Sequence, residues 1–230
     1  HIEAGLRSFN NYSPFPEEAN RKLVSQITDI HFPPTDLALN NLKNEGITRN
    51  VHNVGNTVID AMKIGLKLIN EDLFIKKFNL LNNSRKLILI TCHRRENIGV
   101  PFKNICEAIK LLVKRNSNIE FLFPVHPNPL FKDVAKKLLS DIDRVTLLPS
   151  LRYEEMLFVL SKSHIVLTDS GGIQEEAPEL GKPVLILRDE TERIEGVNAG
   201  TSKIVGSNLQ EIVNQTEKLL NDFTEYQKMS

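Results

Sequence analysis

The sequence predicts an α/β protein built on a parallel sheet with helices on both faces, and three observations carry that prediction. From Lys86 onward, short apolar runs alternate with segments of helical periodicity. The runs are apolar at successive positions rather than at every second one, as strands covered on both faces are. Each run also gives way to a dense polar cluster, and in a parallel sheet all such clusters fall on one edge.

Taken in order, the first fifty residues form an alternation of their own. Residues 16–27 read as a helix approached through Pro14 and Pro16, 29–32 as a short strand, 35–44 as a helix and 51–54 as another strand. Gly55-Asn56-Thr57 opens a helix from Val58 to about Asn70, with Thr57 or Asn56 as its N-cap. The polar stretch NLLNNSR, residues 79–85, reads as a loop. Buried strands follow at 87–92 (LILITC), 119–125 (IEFLFPV), 145–148, 165–168 and 184–187, with 203–205 as a sixth. Phe102, Ile105, Ile109, Leu112 and Val113 form a helical stripe, and 130–139, 153–160, 173–180 and 209–220 supply further helices. A boundary is placed near 50–55. Residues 1–52 are then the C-terminal part of a first α/β domain, 53–206 a second, and 207–230 a closing helix that can return to the first.

With 230 residues, 40% hydrophobic and 25% charged, the chain can bury a sizeable core. Lys plus Arg (29) cancels Asp plus Glu (29), so no global field draws it to nucleic acid or an anionic membrane. Any anion site must be built locally. Cys92 and Cys106 fall inside predicted core elements, which points to reduced thiols and a cytoplasmic setting. No apolar run reaches membrane-spanning length, and no basic-then-apolar leader opens the chain. The first residues are His1-Ile2-Glu3, without a methionine and reading as a strand end, so an upstream part is expected to be missing.

The polar clusters are 93–97 (HRREN), 126–129 (HPNP), 149–153 (PSLRY), 169–172 (DSGG) and 188–193 (RDETER). Open α/β sheets bind ligands at this edge, where the strand order reverses. Ser170-Gly171-Gly172 at a helix start offers free N–H groups and the positive end of the helix dipole, which suits a phosphate or diphosphate. The plain alternative is a tight strand-to-helix turn. Glu176, a turn and a half further on, is placed to accept from the vicinal hydroxyls of a ribose. One of Glu175 and Glu176 is expected on a solvated face, because neighbouring helical positions point in different directions. His93 can donate to a phosphate oxygen or act as an acid, and Arg193 can grip a phosphate bidentately. Their plain readings are a capping histidine and a surface arginine. In the early unit Glu3 projects from another strand end, and Glu17 sits in a first helical turn. Taken alone, Glu17 reads as a helix-start carboxylate rather than a catalyst. The histidines and cysteines lack zinc-like spacing, and no P-loop, dinucleotide fingerprint or nucleophile elbow is present, so neither metal nor redox cofactor is expected.

HIEAGLRS, SPFPEEANR, HFPPT, VGNTVID, TCHRREN, PVHPNP, TDSGGIQEEAP, GKPVLILRDETER and NAGTSKIVG, in register from His1 to about Gly206, together resemble the non-hydrolysing UDP-N-acetylglucosamine 2-epimerases. The resemblance implies a GT-B-like fold of two Rossmann-like, doubly wound domains with the site in the cleft between them, the first present here only as its C-terminal part. It implies an isomerase interconverting UDP-GlcNAc and UDP-ManNAc by elimination and re-addition of UDP, without a cofactor, for cell-envelope polysaccharide precursors. By motif matching, Glu3 and Glu17 stand at the family's catalytic glutamates, and His93 has the task of stabilising the departing UDP. Ser170, Gly171, Gly172, Glu176 and Arg193 stand at the UDP site. Arg94, Arg95 and His126 are candidates for a second pocket in which UDP-GlcNAc acts as an allosteric activator. The family's catalytic aspartate falls upstream of His1, so little turnover is expected of this chain alone, and a homodimer is implied for the complete protein. Ile194 and Glu179 replace a proline and a small residue usual in the family beside the nucleotide. Three rival readings remain: a hydrolysing epimerase, a GT-B glycosyltransferase, and a UDP-binding module without catalysis. No nucleic-acid or membrane partner is expected.

Overall fold

The early apolar pattern produces short elements tied together by polar side chains. A computed structural model describes residues 1–12, 15–78 and 84–230, and the chain divides into one unit of His1–Lys63 with Glu190–Arg193 and another of Ile64–Asp189 with Ile194–Ser230. In the first unit, helix α1 spans Glu17–Ile27, with Pro16 at the N-cap and two acidic residues in the first turn facing the helix dipole. Thr35 caps α2 (Asp36–Asn44) by accepting from the Ala38 N–H at 3.1 Å. Of the two candidate caps for α3 (Thr57–Leu68), Asn56 serves: its Oδ1 accepts from the Val58 N–H at 3.1 Å. The division between units falls within α3.

The strands expected at 29–32 and 51–54 shrink to single parallel bridges, Ile2 with Phe32 and His31 with Val51. Two features end them early. Pro33 and Pro34 have no N–H with which to extend a ladder, and Asn50 sits at φ 52°, outside the extended region. Side chains take over the work. The buried Arg7 guanidinium donates to both Glu45 carboxylate oxygens at 2.7 Å and to Ser25 Oγ at 3.1 Å. Glu18, fully buried, accepts from the Ser8 and Phe9 N–H groups at 2.9 and 3.1 Å. Gly5 has φ 82°, and a Cβ there would lie 2.1 Å from the Ala38 carbonyl oxygen, so only glycine fits.

The second unit begins with the rest of α3 and α4 (Glu71–Phe78), a helix that the pattern reading did not single out. It continues with β1 (Lys86–Thr91), α5 (Val100–Arg115), β2 (Ile119–Pro124), α6 (Pro129–Leu139), β3 (Val145–Leu148) and α7 (Tyr153–Lys162). After these come β4 (Ile165–Thr168), α8 (Gly171–Glu179), β5 (Val184–Ile186), α9 (Ile194–Asn198), β6 (Ser202–Ile204), α10 (Leu209–Asn221) and α11 (Phe223–Met229). The closing segment is therefore two helices rather than one. Asp222 Oδ1 accepts from the Thr224 and Glu225 N–H groups at 2.9 and 3.1 Å and starts the second of them. The loop expected at 79–85 and the Pro14 approach to α1 lie largely outside the described residues.

The six strands are all parallel and lie in the order β3-β2-β1-β4-β5-β6. Alternation sorts their side chains between two layers. Ile88, Ile90, Phe121, Phe123, Ile165 and Leu185 join the core that includes Phe102, Ile105 and Ile109 of α5, Phe131 of α6 and Ile212 of α10. Leu87, Leu89, Leu122, Val166 and Ile186 join the opposite core with Phe74 of α4, Phe158 of α7 and Ile173 of α8. Burying each such side chain contributes about 1.5–3 kcal/mol, which explains why runs apolar at every position were a reliable strand signal. The order reverses between β1 and β4, the position at which a doubly wound sheet opens its crevice. Their last paired residues, Thr91 and Thr168, bring their hydroxyl oxygens to 2.6 Å across it. Among the described residues no helix is long and apolar enough to cross a membrane.

Candidate functional site

Loops leaving four strands line one cavity of about 210 Å³ in the second unit. They supply Cys92 and His93 after β1, His126 after β2, Ser150 and Leu151 after β3, and Ser170 after β4. The start of α8 is anchored without a side-chain cap. The Asp169 N–H donates to the Thr91 carbonyl at 3.2 Å, and the Ser170 N–H to Thr168 Oγ1 at 2.9 Å. The first-turn amides of α8 then have no acceptor within the helix, and they carry the positive end of its dipole. A Cβ built on Gly172 meets no atom within 4 Å. The chain's own packing therefore does not require glycine there, while the close approach of a ligand would.

Asp169 stands beside these amides and is completely buried. Its carboxylate accepts from the His93 N–H at 2.9 and 3.1 Å, the Arg94 N–H at 2.8 Å and Asn97 Nδ2 at 2.9 Å. Its Oδ1 also lies 3.2 Å from Nδ1 of the His93 imidazole, whose side chain is 39% exposed. Asn97 donates in addition to the Leu187 carbonyl at 3.1 Å, so the β1 loop is tied to the ends of β4 and β5. Buried Arg188 completes the tie by donating from Nε to Glu96 Oε1 at 2.7 Å. Burial lowers the His93 pKa below its ordinary value of 6.5; Asp169 works against that shift, and Arg94, His126 and Arg188 reinforce it. The net shift favours the neutral imidazole. Burial also pushes the free Cys92 thiol well up and that of Cys106 to about 12, which leaves both protonated and unreactive.

Glu176 is 6% exposed, and its Oε1 accepts from the Tyr153 hydroxyl at 3.4 Å. Burial raises its pKa, the tyrosine hydrogen bond lowers it, and Glu175 raises it again; the net shift is upward. Glu175 is half-buried rather than solvated. Of the candidates for a second pocket, His126 lines the cavity with its ring centroid 6.3 Å from that of His93. Arg94 contributes its backbone N–H to Asp169, and Arg95 is exposed at the start of the 3-10 turn Arg95–Asn97. Neither arginine lines the cavity.

The remaining candidates gather in the first unit. Glu3 adopts φ 58°, a left-handed conformation uncommon for a residue with a side chain and found preferentially where function demands it. Its Oε2 lies 3.5 Å from Arg193 Nη2. Arg193 Nη1 donates to the fully buried Glu192 carboxylate, whose Oε1 also lies 3.7 Å from Arg21 Nη2. Arg193 is therefore engaged by two carboxylates, and this arrangement differs from the bidentate phosphate grip that its type alone suggests. Glu17 is half-buried in the first turn of α1, next to Glu18, whose carboxylate is committed to the backbone.

Pattern reading assigned no role to Asp169, Asn97, Tyr153, Arg21 or Glu192. Asp169 carried a signal, since a carboxylate at a buried strand end needs donors. The others depend on distant segments meeting, and nothing local marks them. Among the described residues, no group of three or more His, Cys, Asp or Glu side chains is arranged to hold a metal ion.

A parallel sheet in this order, with its polar loops converging at the reversal, makes the second unit a Rossmann-like α/β domain. The sequence profile of the UDP-N-acetylglucosamine 2-epimerase family matches residues 1–230, and the chain belongs to that family. It is 45% identical over 239 residues to the UDP-N-acetylglucosamine 2-epimerase of Campylobacter jejuni, covering all of this chain and 62% of that protein. It resembles the crystal structure of UDP-GlcNAc 2-epimerase from Neisseria meningitidis bound to UDP-GlcNAc, with a TM-score of 0.96 and 47% identity over 100% of this chain and 63% of that one. The S. aureus MnaA-UDP co-structure gives 0.92 and 44% over 100% and 62%. The architecture is that of GT-B-like epimerase structures, and the chain corresponds to their C-terminal part. It spans 62% of the Campylobacter relative and 63% of the Neisseria structure.

Proposed function

We propose that this chain carries the UDP-binding half and two catalytic carboxylates of a non-hydrolysing epimerase that interconverts UDP-GlcNAc and UDP-ManNAc. One observation supports the reading most: the uncapped α8 amides, His93 and buried Glu176 follow one another from the point where the parallel sheet reverses its order. That set matches a nucleoside diphosphate part by part. The amides and dipole take the diphosphate, and Glu176 accepts from the ribose hydroxyls.

Epimerisation by elimination needs little else. A carboxylate takes the C2 proton, the C2–H electron pair forms the C1–C2 double bond, and the C1–O pair leaves with UDP. The reverse addition then delivers a proton to the opposite face of C2. Atoms and electrons balance without an oxidant. Glu3 and Glu17 are assigned to the two faces, with Arg193 beside Glu3 and His93 stabilising charge on the departing diphosphate. The same reading takes residues 1–52 as the C-terminal part of a first Rossmann-like domain and Arg94, Arg95 and His126 as an activator pocket. It also places the protein in the cytoplasm as a homodimer.

A chimera joining the N-terminal part of the Neisseria relative to this chain provides the test. In deuterated water with UDP-GlcNAc, the proposal expects UDP-ManNAc and deuterium at C2 of both sugars, with UDP retained on them. Accumulation of free UDP and ManNAc would instead establish hydrolysis, and an inert sugar C2 would exclude epimerisation.

A further inference from the structure

We propose that Asp169 is a positioning residue of the phosphate site: it holds His93 with the hydrogen on Nδ1, so that Nε2 is the atom left for a ligand. The assignment answers a difficulty in the site's electrostatics. A carboxylate adjacent to the α8 N-terminus would repel a diphosphate and compete for the same amides. Asp169 does not compete for them, because its oxygens already accept from the His93 and Arg94 N–H groups and from Asn97 Nδ2, and those β1-loop dipoles offset part of its field.

The same carboxylate also faces the imidazole, with its Oδ1 3.2 Å from His93 Nδ1. A carboxylate has no hydrogen to give, so the tautomer matching Asp169 Oδ1 at 3.2 Å carries its proton on Nδ1. The other charged and titratable groups facing the ring are Arg94 beside it, His126 from the β2 loop, and Arg188 after β5. Burial, reinforced by Arg94, His126 and Arg188, holds the ring's pKa below its ordinary value against the pull of Asp169. A phosphate near Nε2 then favours proton uptake, and Asp169 stabilises the imidazolium from the opposite side. One side chain thereby fixes both halves of the phosphate site, since Asp169 directly precedes Ser170 and the α8 amides.

The ligand side of this inference rests on the UDP reading above, whereas the tautomer does not. Nitrogen NMR of the chain labelled at histidine, with His93→Gln used to assign the signal, reads the tautomer directly. The expected result is a protonated Nδ1 and a bare Nε2 in the unliganded protein. A proton on Nε2 would overturn the proposal. In Asp169→Asn the single amide oxygen is claimed by the backbone donors, so the amide NH2 faces Nδ1 and the ring switches to the Nε2–H form. UDP affinity falls about tenfold or more, the scale seen when an outer residue orienting a histidine is lost. An unchanged tautomer in a natively folded Asp169→Asn would also overturn the proposal. Should that variant fail to fold, the wild-type tautomer alone decides. Failure of the wild-type chain to bind UDP would refute the nucleotide reading while leaving the tautomer result standing.

Discussion

Ile88, Ile90, Val166 and Leu185 lie fully buried in a continuous parallel ladder, whereas around Glu3 and Phe9 the backbone turns left-handed and is held by carboxylates and an arginine. The second unit hides its apolar side chains on both faces of the sheet. The first exposes Phe9, Tyr12, Leu23 and Ile27, with Ile27 83% accessible. The contrast separates two ways of fixing a backbone. Where apolar burial does it, sequence pattern and structure coincide. Where buried polar groups do it, each contact is individually costly to lose, and pattern is silent.

The largest expected effect tests that contrast at its extremes. Ile90→Ala should cost about 2–5 kcal/mol of stability, as large-to-small changes in packed cores do, while Ile27→Ala stays within about 0.5 kcal/mol, as surface changes do. Urea denaturation of both variants measures the gap, and similar costs would erase the distinction between units. Next comes Glu18→Ala, which removes the acceptor of the Ser8 and Phe9 N–H groups at about 0.5–1.5 kcal/mol per hydrogen bond, since water can reach both donors. Hydrogen exchange should accelerate at Ser8 and Phe9 and leave the β1–β4 amides unchanged.

Glu176→Gln brings the comparison to the proposed ligand. UDP affinity should fall roughly 10- to 150-fold, because a lost charge-assisted hydrogen bond is worth about 1.5–3 kcal/mol. Stability should move the other way. The folded-state pKa is raised above 4.5, so folding favours the protonated acid, and stability is lost as pH rises through that raised value. The glutamine variant should therefore melt slightly higher than the parent at neutral pH, and the two should converge below pH 4.5. Equal melting at every pH would mean that the buried carboxylate carries no cost.

A separate effect concerns α11, where Tyr226 stacks on His164 at 4.2 Å and donates to its carbonyl at 3.1 Å. Burial, with Lys86 and Lys182 adding repulsion, lowers the His164 pKa to about 4. As pH falls from 6.5 toward 4, the unfolded chain gains a proton that the folded one resists, so stability declines across that window. His164→Phe keeps the stack and should flatten this decline in pH-dependent denaturation.

The six strands could be read from runs such as LILITC and IEFLFP because burial on both faces leaves no polar alternation to confuse. Helix α4 escaped because its apolar residues, Leu73, Phe74, Ile75 and Phe78, fill barely two turns. The bridges at Ile2, His31 and Val51 were overextended into strands since apolar content does not reveal where prolines interrupt a ladder. At the candidate site, His93 and Ser170 line the cavity from their places after strands, while Glu176 is buried further along α8 against Tyr153, and the ligand roles of all three are proposals. The contacts of Asp169 depend on the β1 loop folding over it, and those of Glu192 on Arg21 arriving from α1 beside the neighbouring Arg193, neither of which local sequence marks.

The central claim is that the loops leaving the parallel strands form one UDP site, and hydrogen exchange with and without UDP tests it most directly. Protection concentrated in residues 92–97, 126–128, 150–153 and 170–176 is the expected result. Unchanged exchange in those four segments, or protection confined to others, would contradict it.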